Sequence, residues 1–254
     1  MPRFFNRSNF AVTVLLTTLL VLAGCGSDKV SFVYPDEAVD FGVRSMKMPA
    51  IYIDTVTDMR PAVQREGQGS MFKITYPADE AWEVPPTQIY AEALAQDLEQ
   101  THLVELVPLH SQADYILSVD LLSMSCQLNR SPTTSLIVGA LGAGLGYVVG
   151  GADSHAAKVA VLAGVAAVLA VPVPTSNRAE AEVRMTLKDR SGNVLWQETC
   201  RGDFQAKKYI TPTSRQDQEL VNEHLTKAVK KANACLLGQL RQRFLEESGG
   251  AGQN

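Results

Sequence analysis

Residues 135–152 read SLIVGALGAGLGYVVGGA, residues 153–155 read DSH, and residues 156–173 read AAKVAVLAGVAAVLAVPV. Each apolar arm has 18 residues, so as a helix it is about 27 Å long, which is close to the hydrocarbon thickness of a bilayer. The three polar residues between the arms predict a turn. The stretch 135–173 therefore predicts a Gly/Ala-rich apolar helical hairpin that is inserted into the chain.

Small residues recur at intervals of three and four along both arms, which places them on one face of each helix. In water so many glycines disfavour a helix, by about 1 kcal/mol each relative to alanine. In lipid, small residues let two helix backbones approach closely. The predicted helix-packing residues are Gly139, Gly142, Gly146 and Gly150 in the first arm, and Ala156, Ala160 and Gly164 in the second.

Two other interpretations of the stretch remain open at this stage. A hairpin buried in a soluble core needs the same small residues, whereas a flexible Gly/Ala linker needs only the glycines. The linker is disfavoured because the arms carry many large apolar side chains that water would have to cover. The sequence thus predicts a hairpin that packs either in a membrane or against protein.

The chain begins with a predicted signal peptide, residues 1–24. Arg3 and Arg7 precede the apolar residues 10–22, and the segment closes with LAGC, ending at Cys25. This tetrapeptide resembles the bacterial lipoprotein signal, in which the peptide is cut before the cysteine and the thiol carries diacylglycerol. The resemblance implies lipidation of Cys25, with covalent diacylglycerol and palmitate and no other cofactor.

The position after the cysteine bears on localisation. Gly26 follows Cys25 where aspartate would retain a lipoprotein in the inner membrane, by resemblance to enterobacterial sorting. This implies a lipid-anchored outer-membrane protein whose domain faces the periplasm or the cell surface. Several acyl chains on one cysteine hold a protein to a membrane without any helix.

Charge excludes one class of partner. The chain has 23 basic and 27 acidic residues, and removal of Arg3 and Arg7 with the leader leaves 21 basic residues and a net charge of −6. Because no basic stripe remains, nucleic acid is not an expected partner. The expected partners are membrane lipid and further copies of the chain, with an envelope protein complex as another candidate.

The remainder predicts one α+β domain: a mixed or antiparallel sheet covered by two helices, and interrupted by the hairpin. Alternating apolar residues predict the strands, and apolar residues at helical spacing predict the helices. The predicted strands are 48–56, 103–107, 113–128, 181–188 and 194–204, with a register shift expected within 124–128, and the predicted helices are 88–100 and 214–247.

The domain boundaries follow from these elements. The sections are a lipidated cysteine and tether (25–47), a first part of the domain (48–134), the hairpin (135–173), a second part (174–247) and a disordered tail (248–254). Within the tether, residues 30–34 could add an edge strand. Residues 65–86 predict a long surface loop or a short hairpin near 71–76, in which Trp82 would be exposed to a partner.

Two short motifs carry a family resemblance. Residues 113–117 read ADYIL, and the later turn has the pattern D-x-x-G-x-V-L-W between Asp189 and Trp196. This order of elements resembles periplasmic lipoproteins of the YajG and LptE-like kind, and a glycine-zipper hairpin after the ADYIL strand is similar to the plan of the TraT family of surface-exclusion lipoproteins. The resemblance implies an outer-membrane, ring-forming lipoprotein.

Three cysteines remain besides Cys25, namely Cys126, Cys200 and Cys235. If one strand separates those of Cys126 and Cys200, their Cα atoms are about 9–10 Å apart, which exceeds the roughly 7 Å that a disulfide spans. Cys235, on the helix that covers the sheet, is the better partner for either. Three reduced thiols remain an equally open alternative.

No pattern for catalysis or metal binding emerges. The four histidines show no metal-ligand spacing, and Asp114 and Asp120 are expected on the solvated face of a strand. The sequence therefore predicts no metal, no catalytic residue and no enzyme. The histidines are His102, His110, His155 and His224.

The sequence predicts an oligomeric structural or accessory component of an envelope assembly, export or surface system. The alternative is a monomeric periplasmic lipid-binding or machine-accessory lipoprotein whose hairpin packs on the protein.

Overall fold

The computed structural model describes residues 32–35, 48–69, 73–76, 78–150, 161–164, 166–167, 171–210 and 214–250. The strands are β1 (Ala50–Asp58), β2 (Gln68–Gly69), β3 (Lys73–Tyr76), β4 (Glu105–Leu106), β5 (Tyr115–Arg130), β6 (Val173–Lys188) and β7 (Val194–Ile210). The α-helices with full bounds are α1 (Ala62–Glu66), α2 (Pro86–Thr101), α3 (Pro132–Gly150) and α4 (Ser214–Gly250), and short 3₁₀ turns cover Asp79–Ala81 and His110–Gln112.

The described strands form one seven-stranded mixed sheet around the long strand β5. On one side, the first half of β5 pairs in parallel with β1 and its second half pairs antiparallel with β3. On the other side β6 pairs antiparallel with β5 along its length, and β7 pairs with β6. The predicted α+β class with a mixed sheet is thus confirmed. The inserted hairpin stays a prediction, because its turn lies outside the described residues.

Two helices cover one face of this sheet, as the apolar spacing predicted. Helix α2 buries Ile89, Tyr90 and Leu94, and α4 buries an apolar stripe along most of its length. The strands contribute alternate residues to the same core, since every second side chain of a strand lies on one face. The buried stripe of α4 comprises Leu220, Val221, Leu225, Ala228, Val229, Ala232, Leu236, Leu237, Leu240 and Phe244.

Strand β5 changes register once. The pairing with β6 shifts between Leu121 and Ser123, and the pairing with β1 shifts between Ile53 and Val56. A bulge of this kind moves the buried face from odd to even positions. As a result Leu117, Leu121, Met124 and Leu128 all lie in the core, and the expected register shift occurs just before residues 124–128.

Helix α4 and strand β7 approach so closely that glycine is required between them. A Cβ atom on Gly202 would lie 1.9 Å from the carbonyl oxygen of Ala228 and 2.6 Å from the amide nitrogen of Ala232. Nearby, Cys200 and Cys235 form a disulfide with Cα atoms 6.0 Å apart. The helix is therefore fixed against β7 by a covalent bond beside a contact that no side chain would fit.

Two local expectations were wrong. Residues 32–34 form no strand; instead the backbone amide of Val33 donates to Asn222 Oδ1 at 3.1 Å and its carbonyl accepts from Thr226. Trp82 is buried, because its ring packs near Phe32, with centroids 6.4 Å apart. For residues 65–86 the sequence left a long surface loop and a short hairpin near 71–76 open, and the hairpin is the one that forms: β2 pairs antiparallel with β3 after the end of α1.

Candidate functional site

A buried group of polar side chains joins α2, α4 and residues 32–35, which we call the tether segment. Its centre is Asp97 of α2, which is fully buried. Asp97 accepts hydrogen bonds from the Tyr34 hydroxyl at 2.5 Å, from Lys230 Nζ at 2.5 Å and from Asn233 Nδ2 at 2.8 Å. Tyr90 completes this Asp97 cluster by donating to Asn233 Oδ1 at 2.5 Å.

The electrostatics of the cluster keep both tyrosines neutral. Burial raises the pKa of Tyr34, and the neighbouring Asp97 carboxylate raises it further. The pKa of Tyr90 is likewise raised, first by burial and then by the charge of Asp97. Each hydroxyl therefore remains a hydrogen-bond donor, which a buried carboxylate or amide oxygen needs.

The tether segment is also held by its rings and its backbone. Phe32 stacks on Tyr34 with ring centroids 6.2 Å apart, and Lys230 Nζ lies 4.7 Å from the centroid of the Tyr34 ring. Phe32, Val33 and Tyr34 also line a cleft of about 330 Å³ with residues of α2. The segment thus docks on the helical layer through polar, aromatic and backbone contacts together.

The described part of the second apolar arm contacts the first arm through small residues. Residues 161–164 and 166–167 are helical. A Cβ atom on the buried Gly164 would lie 2.9 Å from the carbonyl oxygen of Gly139 and 3.3 Å from the Cβ atom of Ala143. The two arms therefore approach closely at this point, and glycine permits the approach.

Large apolar side chains of both arms are exposed. An uncharged patch of this kind on a soluble monomer is unusual. Within the part of the chain that the structure describes, no helix combines the length and apolarity that crossing a membrane requires. The exposed residues are Leu136 (66%), Ile137 (55%), Leu141 (65%), Val161 (64%) and Leu162 (45%).

The other predicted hairpin residues are placed only in part. Gly142, Gly146 and Gly150 lie on α3. Ala156 and Ala160 lie outside the described residues, as does the predicted lipidation site Cys25. The structure therefore brings Gly139 and Gly164 together and leaves the remaining packing residues as predictions.

The two ends of the insertion leave the sheet side by side. Arg130 pairs in register with Thr175, and the amide of Ser131 donates to the carbonyl of Pro174 at 3.0 Å. The buried Arg130 guanidinium also donates to Asp217 near the start of α4. Burial raises the pKa of Asp217, and the Arg130 charge opposes that rise. We call this region, residues 130–131 and 173–175, the hairpin root.

The three cysteines that the structure describes divide into a disulfide pair and a single thiol. Cys200 and Cys235 form the disulfide, which is one of the two pairings that sequence reasoning left open for Cys235. Cys126 is free and buried, and burial raises the pKa of its thiol to about 12. A thiol with so high a pKa is unreactive at neutral pH.

Two of the described histidines, and Asp114 and Asp120 at β5, make packing contacts or ion pairs with neighbouring side chains. His224 packs on Phe204 with ring centroids 4.8 Å apart, and burial lowers its pKa to about 4. Asp114 pairs with Arg190, and Asp120 with Arg184. His102 ends α2 with a positive φ, His110 lies near Tyr52, and His155 lies outside the described residues. Among the residues described, no group of three acidic, histidine or cysteine side chains could hold a metal ion.

Sequence reasoning missed the Asp97 cluster, although a signal was present. Asp97 stands seven residues after Tyr90 and four after Ala93, on the apolar side of α2. Asn233 interrupts the apolar stripe of α4 in the same way. Because a buried polar residue must find a partner, two such interruptions on the two covering helices indicate a shared polar contact.

Comparison with solved structures finds three weak matches. The sequence matches no protein-family model and no curated protein sequence. A DUF330-family protein from Xanthomonas campestris has a TM-score of 0.41 at 11% identity, covering 87% of this chain and 95% of that one. Lipoprotein GNA1162 from Neisseria meningitidis has a TM-score of 0.30 at 8% identity, and the match covers 69% of this chain and 96% of that one. A neuraminyllactose-binding hemagglutinin homologue from Helicobacter pylori has a TM-score of 0.38 at 9% identity, and the match covers 88% of this chain and 99% of that one. At such scores the likeness carries no argument.

Proposed function

We propose that this chain is a non-enzymatic lipoprotein of the bacterial outer membrane, anchored by acylation of Cys25, that assembles into homo-oligomers through its hairpin as a structural or accessory component of an envelope system. The observation that carries the proposal is the exposed apolar surface on both hairpin arms, including Leu136, Leu141 and Val161. A surface of this kind is stabilised when an apolar partner removes it from water.

The division of residue sizes within the hairpin supports self-association. Small residues meet inside it, where Gly164 lies against Gly139 and Ala143. Large side chains described in the helical parts of the two arms are exposed instead, namely Leu136, Ile137, Leu141, Val161 and Leu162. Residues 135–173 carry only Asp153 and Lys158 as charged side chains. The surface offered to another copy is therefore both apolar and uncharged.

The alternative is a monomeric accessory lipoprotein whose hairpin packs on its own domain. The exposure of Leu136, Ile137 and Leu141 favours the oligomer, because a hairpin packed on the domain would bury such residues. Both functions keep the same lipid anchor, so the state of assembly distinguishes them.

The decisive experiment replaces the exposed face and leaves the inner contact intact. In the variant Leu136→Ser, Leu141→Ser, Val161→Ser, we expect the detergent-solubilised protein to fall from an oligomer to a monomer by light scattering. Val194→Ser is the matched control, because Val194 is 58% exposed on β7, outside the hairpin, and it should leave the oligomer unchanged. A wild-type monomer, or a triple variant that stays oligomeric, would contradict the proposal.

A second experiment tests the anchor. Intact-mass measurement of the mature wild-type protein should show the added acyl groups, and Cys25→Ala carried on an ordinary cleavable signal should lack them. We expect the Cys25→Ala protein to remain oligomeric, because the hairpin is unchanged. A freely soluble monomer would remove the support for assembly through the hairpin.

A further inference from the structure

The order of contacts gives the direction in which the tether segment runs along α4. Tyr34 contacts Lys230 and Asn233, whereas the Val33 carbonyl accepts from Thr226 and the Val33 amide donates to Asn222. Successively earlier atoms of the tether segment therefore contact successively earlier residues of α4. The segment runs parallel to α4, so its first residue, Phe32, lies on the side of Tyr34 that faces the start of that helix.

The hairpin root lies at the same end of α4. Arg130 binds Asp217, which precedes Asn222 by five residues, or about 8 Å along the helix axis at 1.5 Å per residue. The first residue of the tether segment, which is the side of the predicted lipid anchor in sequence, and the apolar hairpin therefore both lie towards the start of α4. Two independent features of the chain, one before the sheet and one inserted into it, converge there.

Exposed amphipathic side chains surround that end. Tyr209 pairs in register with Pro174 beside the hairpin root and is 76% exposed. Lys207 and Lys73 are exposed, in register with Ser176 and Asn129. Tyrosine and lysine are side chains that place an apolar body and a polar tip across a membrane interface.

We propose that the hairpin-root end of the domain lies on the phospholipid bilayer, and that docking of the tether segment holds the domain in this orientation. The proposal rests on the acylated Cys25 of the proposed function. Cys25 and Phe32 are seven residues apart in sequence, so the docked segment lies within about 25 Å of the anchor. Without docking, the 25 residues from Cys25 to Ala50 would allow about 85 Å.

The opposite end of the sheet provides an internal reference. Trp196 pairs in register with Leu187 next to the β6–β7 turn, 13 residues before Tyr209 along β7, or about 43 Å at 3.3 Å per residue. Trp82, in contrast, lies beside Phe32. Asp79, three residues before Trp82, binds Arg60 just after β1, and β1 ends opposite Leu121 near the middle of β5. Of the two tryptophans of the chain, Trp82 therefore lies nearer the proposed membrane-facing end, and Trp196 lies near the distant end.

Energy transfer from each tryptophan to dansyl-labelled lipid tests the orientation. Acylated protein is reconstituted into vesicles of phosphatidylethanolamine and phosphatidylglycerol, as Trp196→Phe to observe Trp82 and as Trp82→Phe to observe Trp196. We expect at least threefold higher transfer efficiency from Trp82. If Trp82→Phe does not fold, the Trp196 contribution follows from the difference between wild type and Trp196→Phe.

Release of the tether segment should remove the higher energy transfer from Trp82. In the Trp196→Phe background, Tyr34→Ala should lower transfer from Trp82 at least twofold, whereas Tyr52→Ala, an aromatic replacement on β1, should not. Protein that fails to float with the vesicles would refute the anchor itself. Floating protein with equal transfer from both tryptophans, or with no effect of Tyr34→Ala, would overturn the orientation while leaving the anchor standing.

Discussion

Replacement of Asp97 by alanine is the sharpest test of how the tether segment is held. Asp97 is fully buried and accepts hydrogen bonds from Tyr34, Lys230 and Asn233. The alanine variant leaves an ammonium group, a hydroxyl and an amide without their acceptor in a site that water hardly reaches. The Lys230 side chain is 15% exposed, so it recovers part of its hydration.

The expected magnitude follows from these contacts. Loss of one partner of a buried ion pair costs about 3–5 kcal/mol, and the partial exposure of Lys230 favours the lower end of that range. We therefore expect Asp97→Ala to lower the free energy of unfolding by about 3 kcal/mol. Asp114→Ala is the control, because its ion pair with Arg190 is half exposed and such pairs contribute about 0–1 kcal/mol.

Two measurements check this prediction. Urea unfolding gives the free energies, and hydrogen exchange gives the protection of the Val33 amide, which donates to Asn222 Oδ1. In Asp97→Ala this amide should exchange faster than in wild type under native conditions, while the core strands keep their protection. Stability within about 1 kcal/mol of wild type, or an equally protected Val33 amide, would refute the role assigned to the cluster.

Three further predictions concern α4 and its contacts. Gly202→Ala should lower the free energy of unfolding in urea by more than about 3 kcal/mol, because the added Cβ would lie 1.9 Å from a backbone oxygen of α4. The control Gly192→Ala has open space around it and should cost about 1 kcal/mol, because Gly192 has a positive φ. Alanine at both Cys200 and Cys235, which are 35 residues apart, should cost about 4 kcal/mol by the same assay. Because burial lowers the pKa of His224 to about 4, the unfolded chain binds the extra proton, so stability should fall by about 3 kcal/mol as pH drops from 6.5 to 4; His224→Phe should flatten that slope.

The sequence predicted those parts of the fold that local periodicity specifies. Alternating apolar residues predicted β5, and apolar residues at helical spacing predicted α2 and α4. The structure contains these elements, which confirms the α+β sheet with two covering helices. The sequence considered one strand between those of Cys126 and Cys200 as a condition, and β6 meets it by pairing with both β5 and β7. Each of these signals comes from residues that are close in sequence.

The errors arose where contacts between distant residues override local pattern. Strand β6 begins at Val173, eight residues before the predicted 181, because residues from 173 on pair with β7. The prediction missed this part because Thr175 and Asn177 occupy buried positions that alternate with less buried ones. Polar residues at buried positions hide the apolar alternation. In residues 32–35 the opposite happened: apolar residues indicated a strand, but side chains of α4 bind the backbone instead of a neighbouring strand.

The candidate site was predicted less well than the fold for the same reason. The contact of Gly164 with Gly139 follows from small residues at helical spacing, whereas the Asp97 cluster joins residues 34, 97 and 233, which no local pattern connects. Several expectations stay predictions, namely lipidation of Cys25, the packing of Ala156 and Ala160, and the resemblance to YajG, LptE-like and TraT proteins. They concern residues outside those described, or relationships that the comparisons do not address.

Helix α4 unites the features on which the proposals depend. Asp217 binds the hairpin root, residues 222–233 bind the tether segment, and Cys235 is bonded to β7. These attachments span 18 residues, or about 27 Å of helix. A force that the anchor or the hairpin exerts on α4 would therefore be transmitted to β7 through the Cys200–Cys235 disulfide and the Gly202 contact, as well as through apolar packing. If so, removing the disulfide should weaken the docking of the tether segment even though Cys235 does not touch it, and faster exchange of the Val33 amide in the Cys200→Ala, Cys235→Ala protein would be the measurable result.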